Sequence, residues 1–250
     1  MFLKVSENMK KTFLFIMCGV MALTLVTGCG NEKQEKQSSS SSNNNVNDQS
    51  SSTGEIKNWN ANRKGESLSN TDEQDGIVYR VEKMEDGDYI LFFKNTNDYG
   101  INIFADLNFY NSESGLQSPM GSVRRTLACV KAGTIGAIVF NDITRSYDSY
   151  KMQFTVQQKE FEDGSTNISF KETEKDGKLK ISGINNNEKD LSNFNATVVF
   201  YKNNKIVTAI HEDNGYGGLN VVKDYPKDKD GNKLDYDKYE IYLNSAYISQ

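Results

Sequence analysis

The chain reads as an all-β protein with two sheet-on-sheet domains in tandem, and three observations carry that reading. The first is strict alternation repeated at a fixed interval. Ile103, Ala105, Leu107 and Phe109 alternate with Phe104, Asp106, Asn108 and Tyr110; 91 residues further on, Phe194, Ala196, Val198 and Phe200 alternate with Asn195, Thr197, Val199 and Tyr201. Period-two patterning marks a strand with one buried face, so the first set in each copy is expected to point into a core. The second is a matched pair of Asp-Gly steps, Asp86-Gly87 and Asp176-Gly177, each between two strand-like runs. Asp-Gly supplies the backbone angles of a tight hairpin. The third is an absence: no window sustains a 3.6-residue apolar period, and the chain holds only two prolines, Pro119 and Pro226.

Each copy unfolds in the same order. A hairpin about Asp-Gly comes first, and Asn95-Thr96-Asn97 or Asn185-Asn186-Asn187 then turns the chain. The alternating strand follows and ends in a Phe-Tyr pair, Phe109-Tyr110 or Phe200-Tyr201. Both copies close alike, Tyr147 to Phe154 against Tyr236 to Leu243, now at a spacing of 89, so two residues are lost from an intervening loop. Self-similarity at a fixed period points to an internal repeat. Short strands at near-even spacing, roughly seven per ~85 residues, fit an immunoglobulin-like β-sandwich. The expected architecture is two such sandwiches from an internal duplication, over residues 76–160 and 161–250. Rigid packing and loose linkage through Gln157 to Ser165 both remain open.

The amino terminus has a different character. Lys10 and Lys11 precede an uncharged apolar run, Thr12 to Val26, short for a spanning helix and suited to a secretory h-region. It closes on Val26-Thr27-Gly28-Cys29, which resembles the lipobox of bacterial lipoproteins. That resemblance implies a signal peptide over 1–28 and diacylglycerol on the Cys29 thiol. It also implies a protein held on the extracytoplasmic side of the cell membrane. Met1 and Met9 are both possible starts. Cys18 would leave with the signal, so Cys129 would be the only thiol of the mature head, without a disulfide partner. In Leu127-Ala128-Cys129-Val130 it reads as a small core residue.

Residues 29–75 are expected to form a disordered Ser/Asn-rich tether. Gln37 to Gly54 is almost wholly Ser, Asn, Gln and Asp and cannot offset its ordering entropy. A coil spanning residues 30–75 would have a reach of ~35–40 Å. Trp59, the only tryptophan, is a candidate partner anchor within this stretch; packing on the first strand of the head is the competing reading. The first 28 residues hold three Lys and one Glu, which leaves 26 basic and 33 acidic residues and a net charge near −7. That balance argues against nucleic acid and against a polybasic grip on anionic lipid. Attachment to the bilayer would fall to the acyl chains.

Each repeat also resembles the FxLYD-type domain, a β-sandwich module of extracytoplasmic lipoproteins. The resemblance rests on the Asn-containing turn, on the strands ending in Phe109-Tyr110 and Phe200-Tyr201, and on Ala132-Gly133-Thr134 in the place of the family's Pro-Gly turn. Val222-Lys223-Asp224-Tyr225-Pro226 is taken as the departing counterpart in the second copy. The family implies a fold and a location, and no catalytic residues.

Chemistry is sparse. His211 is the only histidine and reads as a solvent-facing residue at a strand end. Neither Ser-x-x-Lys nor Gly-x-Ser-x-Gly occurs. Asp228, Asp230 and Asn232, around Gly231, form a weak calcium candidate, because hard cations take several oxygens at fixed spacing. Pro226 and three nearby lysines (Lys227, Lys229 and Lys233) work against it, and a solvated hairpin tip is the competing reading. Apart from the acyl lipid and that candidate, no cofactor is expected. Tyr216 and Gly217, in a Gly-rich loop, are a candidate contact for a ligand or partner. Outward tyrosines such as Tyr110 and Tyr201 are expected to pair across strands.

Three functional classes compete for such a chain. A solute receptor for a transporter needs helical lobes, and the helical period is missing. An extracytoplasmic hydrolase using acidic residues is the alternative. The preferred reading is a non-catalytic lipoprotein that binds an envelope or extracellular protein or glycan, because the two copies match chiefly at core positions.

Overall fold

The computed structural model describes residues 52–56, 68, 71–111, 119–141, 143, 147–214 and 219–248. Among them the chain is all β apart from one 3-10 turn, Ser165–Asn167. The strands are β1 (Ser52–Ile56), β2 (Asp72–Gln74), β3 (Ile77–Lys83), β4 (Tyr89–Asn95), β5 (Ile101–Tyr110), β6 (Gly121–Val130), β7 (Ile135–Phe140) and β8 (Ser149–Gln158). They continue as β9 (Glu162–Asp163), β10 (Ile168–Lys175), β11 (Lys178–Asn185), β12 (Leu191–Lys202), β13 (Lys205–Asn214), β14 (Asn220–Val222) and β15 (Lys238–Ile248). Four antiparallel sheets result, with orders β2-β3-β4-β7 and β6-β5-β8, then β1-β10-β11-β14 and β13-β12-β15-β9. Each pair of sheets makes one sandwich. The strand order is the same in both once β3 to β8 are laid on β10 to β15.

The patterns explain the pairing. Ile103, Ala105, Leu107 and Phe109 are buried in the first core with Leu91, Phe93, Ile138 and Phe140. Phe194, Ala196, Val198 and Phe200 are buried in the second with Phe170, Ile181, Val222 and Ile241. Asp176 (φ 54°) and Gly177 (φ 72°) close β10 onto β11 as a two-residue hairpin with both central residues left-handed. The Asn turns share one device. Asn95 Oδ1 accepts the Asn97 N–H at 3.1 Å, and Asn185 Oδ1 accepts that of Asn187 at 3.0 Å. Their Nδ2 groups donate to Tyr99 O and Lys189 O, at 3.1 and 2.9 Å. Asparagine mimics a backbone turn with its own amide, which is why it recurs there.

Two expectations are corrected. The stretch 29–75 holds two strands where an unordered tether was expected. β1 pairs with β10 across the second sandwich, and β2 pairs with β3 in the first. Exposed edge amides reward even a polar segment that supplies main-chain partners, and composition does not reveal this. Strand order also moves one loop. The counterpart of Ala132-Gly133-Thr134, which joins β6 to β7, is the stretch between β13 and β14. Val222 ends β14, and Lys223 to Pro226 follow it.

Residues 47–250 form one unit, and a third apolar cluster lies between the sandwiches. It joins Ile90, Phe92, Ala137 and Val139, on the outer face of the first sandwich, to Val199, Ile206 and Tyr242 of the second. Strands β4, β7 and β12 are therefore covered on both faces. Burying apolar area releases roughly 25 cal/mol per Å2, so this cluster holds the two sandwiches together.

Candidate functional site

The sandwiches meet along a polar seam set within that apolar contact. Strand β7 is an edge of its sheet, so every second residue turns its N–H and C=O away from β4. At Ala137, fully buried, those groups have no strand to pair with. Side chains of β12 and β15 take the place of one. Ala137 N–H donates to Asn244 Oδ1 at 2.8 Å, and Ala137 O accepts Asn244 Nδ2 at 2.9 Å and Thr197 Oγ1 at 2.7 Å. Asn244 Nδ2 also reaches Asn195 Oδ1 at 2.8 Å and Thr197 Oγ1 at 3.1 Å. Gly136 completes the fit: a Cβ there would collide with the Phe93 ring and sit 2.6 Å from Asn244 Oδ1.

His211 belongs to this seam, which corrects the expectation of a solvent-facing residue. It lies within β13, opposite Thr197 of β12, half-buried. Its Nδ1 is 2.9 Å from Thr197 Oγ1 and its Nε2 is 3.4 Å from Asn195 Nδ2. The Thr197 hydroxyl already donates to Ala137 O, so His211 must donate from Nδ1 and accept at Nε2. That is the neutral imidazole. Burial favours the same state and holds His211 below its usual range. Asp213 opposes this, Arg125 adds to it, and Glu212 opposes it.

The turn around Asp86 locks the seam at one end. Asp86 Oδ2 accepts the Thr208 hydroxyl at 2.7 Å, Glu85 N–H donates to Ile206 O at 3.1 Å, and Lys229 pairs with Asp88 at 3.0 Å. Beside it opens a charged cleft of about 260 Å3, lined by Asp86, Asp88, Arg125, His211 and Lys229. A second cleft, of about 420 Å3, is lined by Cys129, Lys131, Ile135, Asp163 and Ser245. Burial alone would raise the Asp163 carboxyl, but Lys131 at 2.6 Å and the Ser165 N–H and hydroxyl hold it below the usual range. Among the described residues, the buried Ser245 hydroxyl has no hydrogen-bond partner. Cys129 is buried at a β-bulge with φ 55°, its N–H donating to Asn102 Oδ1 at 2.9 Å, and burial pushes its thiol up. A raised thiol is a poor nucleophile.

Asp228 closes the β14–β15 loop as a hairpin tip. Its Oδ1 accepts the N–H groups of Asp230 and Asn232 at 2.9 and 2.8 Å, and its Oδ2 accepts Asn232 Nδ2 at 3.0 Å. Hydrogen bonds from Asn232 hold the Asp228 carboxyl below the usual range. Among the described residues, no three His, Cys, Asp or Glu side chains are grouped to hold a metal ion. Cys29, Trp59, Tyr216 and Gly217 lie outside the described residues. Tyr201 is outward of its own core yet half-buried in the seam, donating to Glu240 at 3.1 Å.

Sequence reasoning missed Asn195, Thr197 and Asn244. Their signal is present: polar residues interrupt strongly apolar strands at positions that a one-sided sheet would leave to solvent. Comparison with models of known families, with curated proteins and with solved structures finds no match to this chain.

Proposed function

We propose that this chain is an exported lipoprotein, acylated on Cys29, whose paired sandwiches act as a non-catalytic binding head outside the membrane. The repeat is read as an internal duplication of an FxLYD-type module. The partner is an envelope or extracellular protein or glycan. One observation carries the choice of binding over catalysis: the head's only histidine has both ring nitrogens spent on Thr197 and Asn195 inside the seam. Among the described residues, the carboxyl groups whose proton affinity is displaced, Asp163, Asp224 and Asp228, are all held low, whereas a general acid needs a raised one. Two tests follow. A palmitate analogue should label the wild-type chain in cells and leave a Cys29→Ala variant unlabelled; labelling of the variant overturns the anchor. Purified head should leave envelope polymers uncleaved, and turnover overturns the binding reading.

A further inference from the structure

The two sandwiches differ at one sheet edge. Ile77 pairs with Asn95 and Ile168 with Asn185, so Tyr79 to Lys83 of β3 correspond to Phe170 to Glu174 of β10. In the second sandwich, β1 covers that stretch, with Ile56 opposite Phe170, Gly54 opposite Glu172 and Ser52 opposite Glu174. In the first, β2 reaches only Ile77, Val78 and Tyr79. Among the described residues no strand continues along Arg80 to Lys83.

That uncovered edge borders a groove of about 530 Å3, running between β2–β3 and β8 and lined by Tyr79, Arg80, Val81, Tyr150 and Met152. Side chains hold the places of a strand within it. The Tyr150 phenol donates to Val81 O at 3.2 Å, so this carbonyl faces outward, and the Val81 N–H and the Lys83 main chain face outward with it. Tyr239, at the matching position of the second sandwich, instead donates to the Glu172 carboxylate at 2.7 Å. There the main chain of residue 172 faces β1. Deeper in, the Gln74 amide acts as a detached peptide group, donating to Phe154 O and accepting from Phe154 N–H, both at 3.3 Å. The groove therefore has the hydrogen-bonding pattern of a missing strand. It is also balanced in charge, with Asp72 and Glu73 against Arg80 and Lys151.

We propose that the first sandwich takes an extended segment of a partner protein, with no net charge, along β3 at Arg80–Lys83, the position that β1 fills in the second sandwich. Strand addition of this kind draws affinity from main-chain hydrogen bonds and selectivity from alternate side chains, here against Tyr79, Tyr150 and Met152. Tyr150, 42% exposed, is a displaceable cap on the Val81 carbonyl. The proposal rests on the binding reading above and names the chemistry of the partner.

The probe is a capped synthetic peptide with the sequence of residues 50–58, which contains β1, added to the full chain during amide hydrogen exchange. The Val81 and Lys83 amides should exchange freely without peptide and slow about tenfold at roughly nine-tenths occupancy. Tyr150→Phe releases the carbonyl and should lower the half-protecting peptide concentration about fivefold. A peptide N-methylated at alternate residues should protect nothing. Four results overturn the proposal: slow exchange at Val81 without peptide, equal protection by the N-methylated peptide, protection confined to Glu172 and Glu174, or none at millimolar peptide. Protection that rises with protein concentration alone would assign the edge to a second copy and also overturn it. Turnover of an envelope polymer would sink the binding reading without altering the exchange result, so the two failures are separable.

Discussion

Asn244 is the side chain on which the union of the sandwiches turns, and Asn244→Ala measures it. The substitution removes the acceptor of the Ala137 N–H and a donor to Asn195 Oδ1, on residues that are 0% and 1% exposed. Ala137 O keeps its bond from Thr197, so two groups are stranded and not three. Leaving a buried donor or acceptor unsatisfied costs about 1–3 kcal/mol each. Partial relaxation around the small void sets the expected total at about 2–5 kcal/mol, a large share of the 5–15 kcal/mol that holds a typical domain together. The loss falls between sandwiches rather than within either core. Urea unfolding, followed by tyrosine fluorescence and by circular dichroism, should therefore show a lower midpoint and a transition that separates into two. Asn244→Asp should cost more, because a carboxylate oxygen would then face Ala137 O and Asn195 Oδ1. A loss below about 1 kcal/mol with one unchanged transition would refute the reasoning.

Three further outcomes follow from the same seam. Ser245→Ala, one residue along β15, removes a buried hydroxyl that has no partner among the described residues, so it should be neutral or stabilising by up to about 1–2 kcal/mol in the same assay. Gly136→Ala forces a methyl against the Phe93 ring and the Asn244 amide and should destabilise by roughly 1–3 kcal/mol, read as a lower thermal midpoint. Stability should also depend on pH through His211. Its folded value lies below the 6.5 of the free side chain, so the unfolded chain binds more protons in the window between the two. Stability therefore rises with pH through that window, is fully present above about 6.5, and is lost as pH falls below it. Urea midpoints from pH 5 to 8 should show this slope, and His211→Gln should flatten it. Asp163, held below the usual carboxylate range, acts in a separate window under pH 4.

The one-sided strands were legible because period two is a local property. Every inward position named on β5 and β12 is buried, since one alternating face can satisfy only one core. The Asp176-Gly177 and Asn turns were legible for a related reason, because each closes on its own neighbours, whereas Asp86-Gly87 sits in a longer loop, Met84 to Asp88, that bonds to Thr208 and Ile206. The seam was harder to see because it involves the second face of strands that already have a core. Its trace is the near-continuous apolar run in Tyr89 to Phe93 and Ile135 to Phe140, the pattern of strands buried on both sides. His211 was misplaced because a histidine among charged neighbours looks exposed, and Thr197 and Asn195 lie too far along the chain to reveal the environment they create.

The edge strands were the least legible elements. β1, β2 and β9 lie outside the matched strands β3–β8 and β10–β15, are short, and are polar enough to pass for linker, because what they contribute is main chain rather than side chain. Each answers the same need, an open sheet edge whose amides and carbonyls want partners. The Gln74 amide on Phe154 and the Tyr150 phenol on Val81 answer it with side chains, and so do Asn244 and Thr197 on Ala137. The substitutes differ in what surrounds them. Around Ala137 the side chains are buried between two sandwiches and hold them together, so that edge is closed. Around Val81 the cap is a half-exposed phenol beside an open groove, so that edge can exchange its cap for a strand. Differences between the two sandwiches at the edges and outer faces, over inner faces that match, give one β7-type edge the role of a joint and leave one β3-type edge open to the proposed strand.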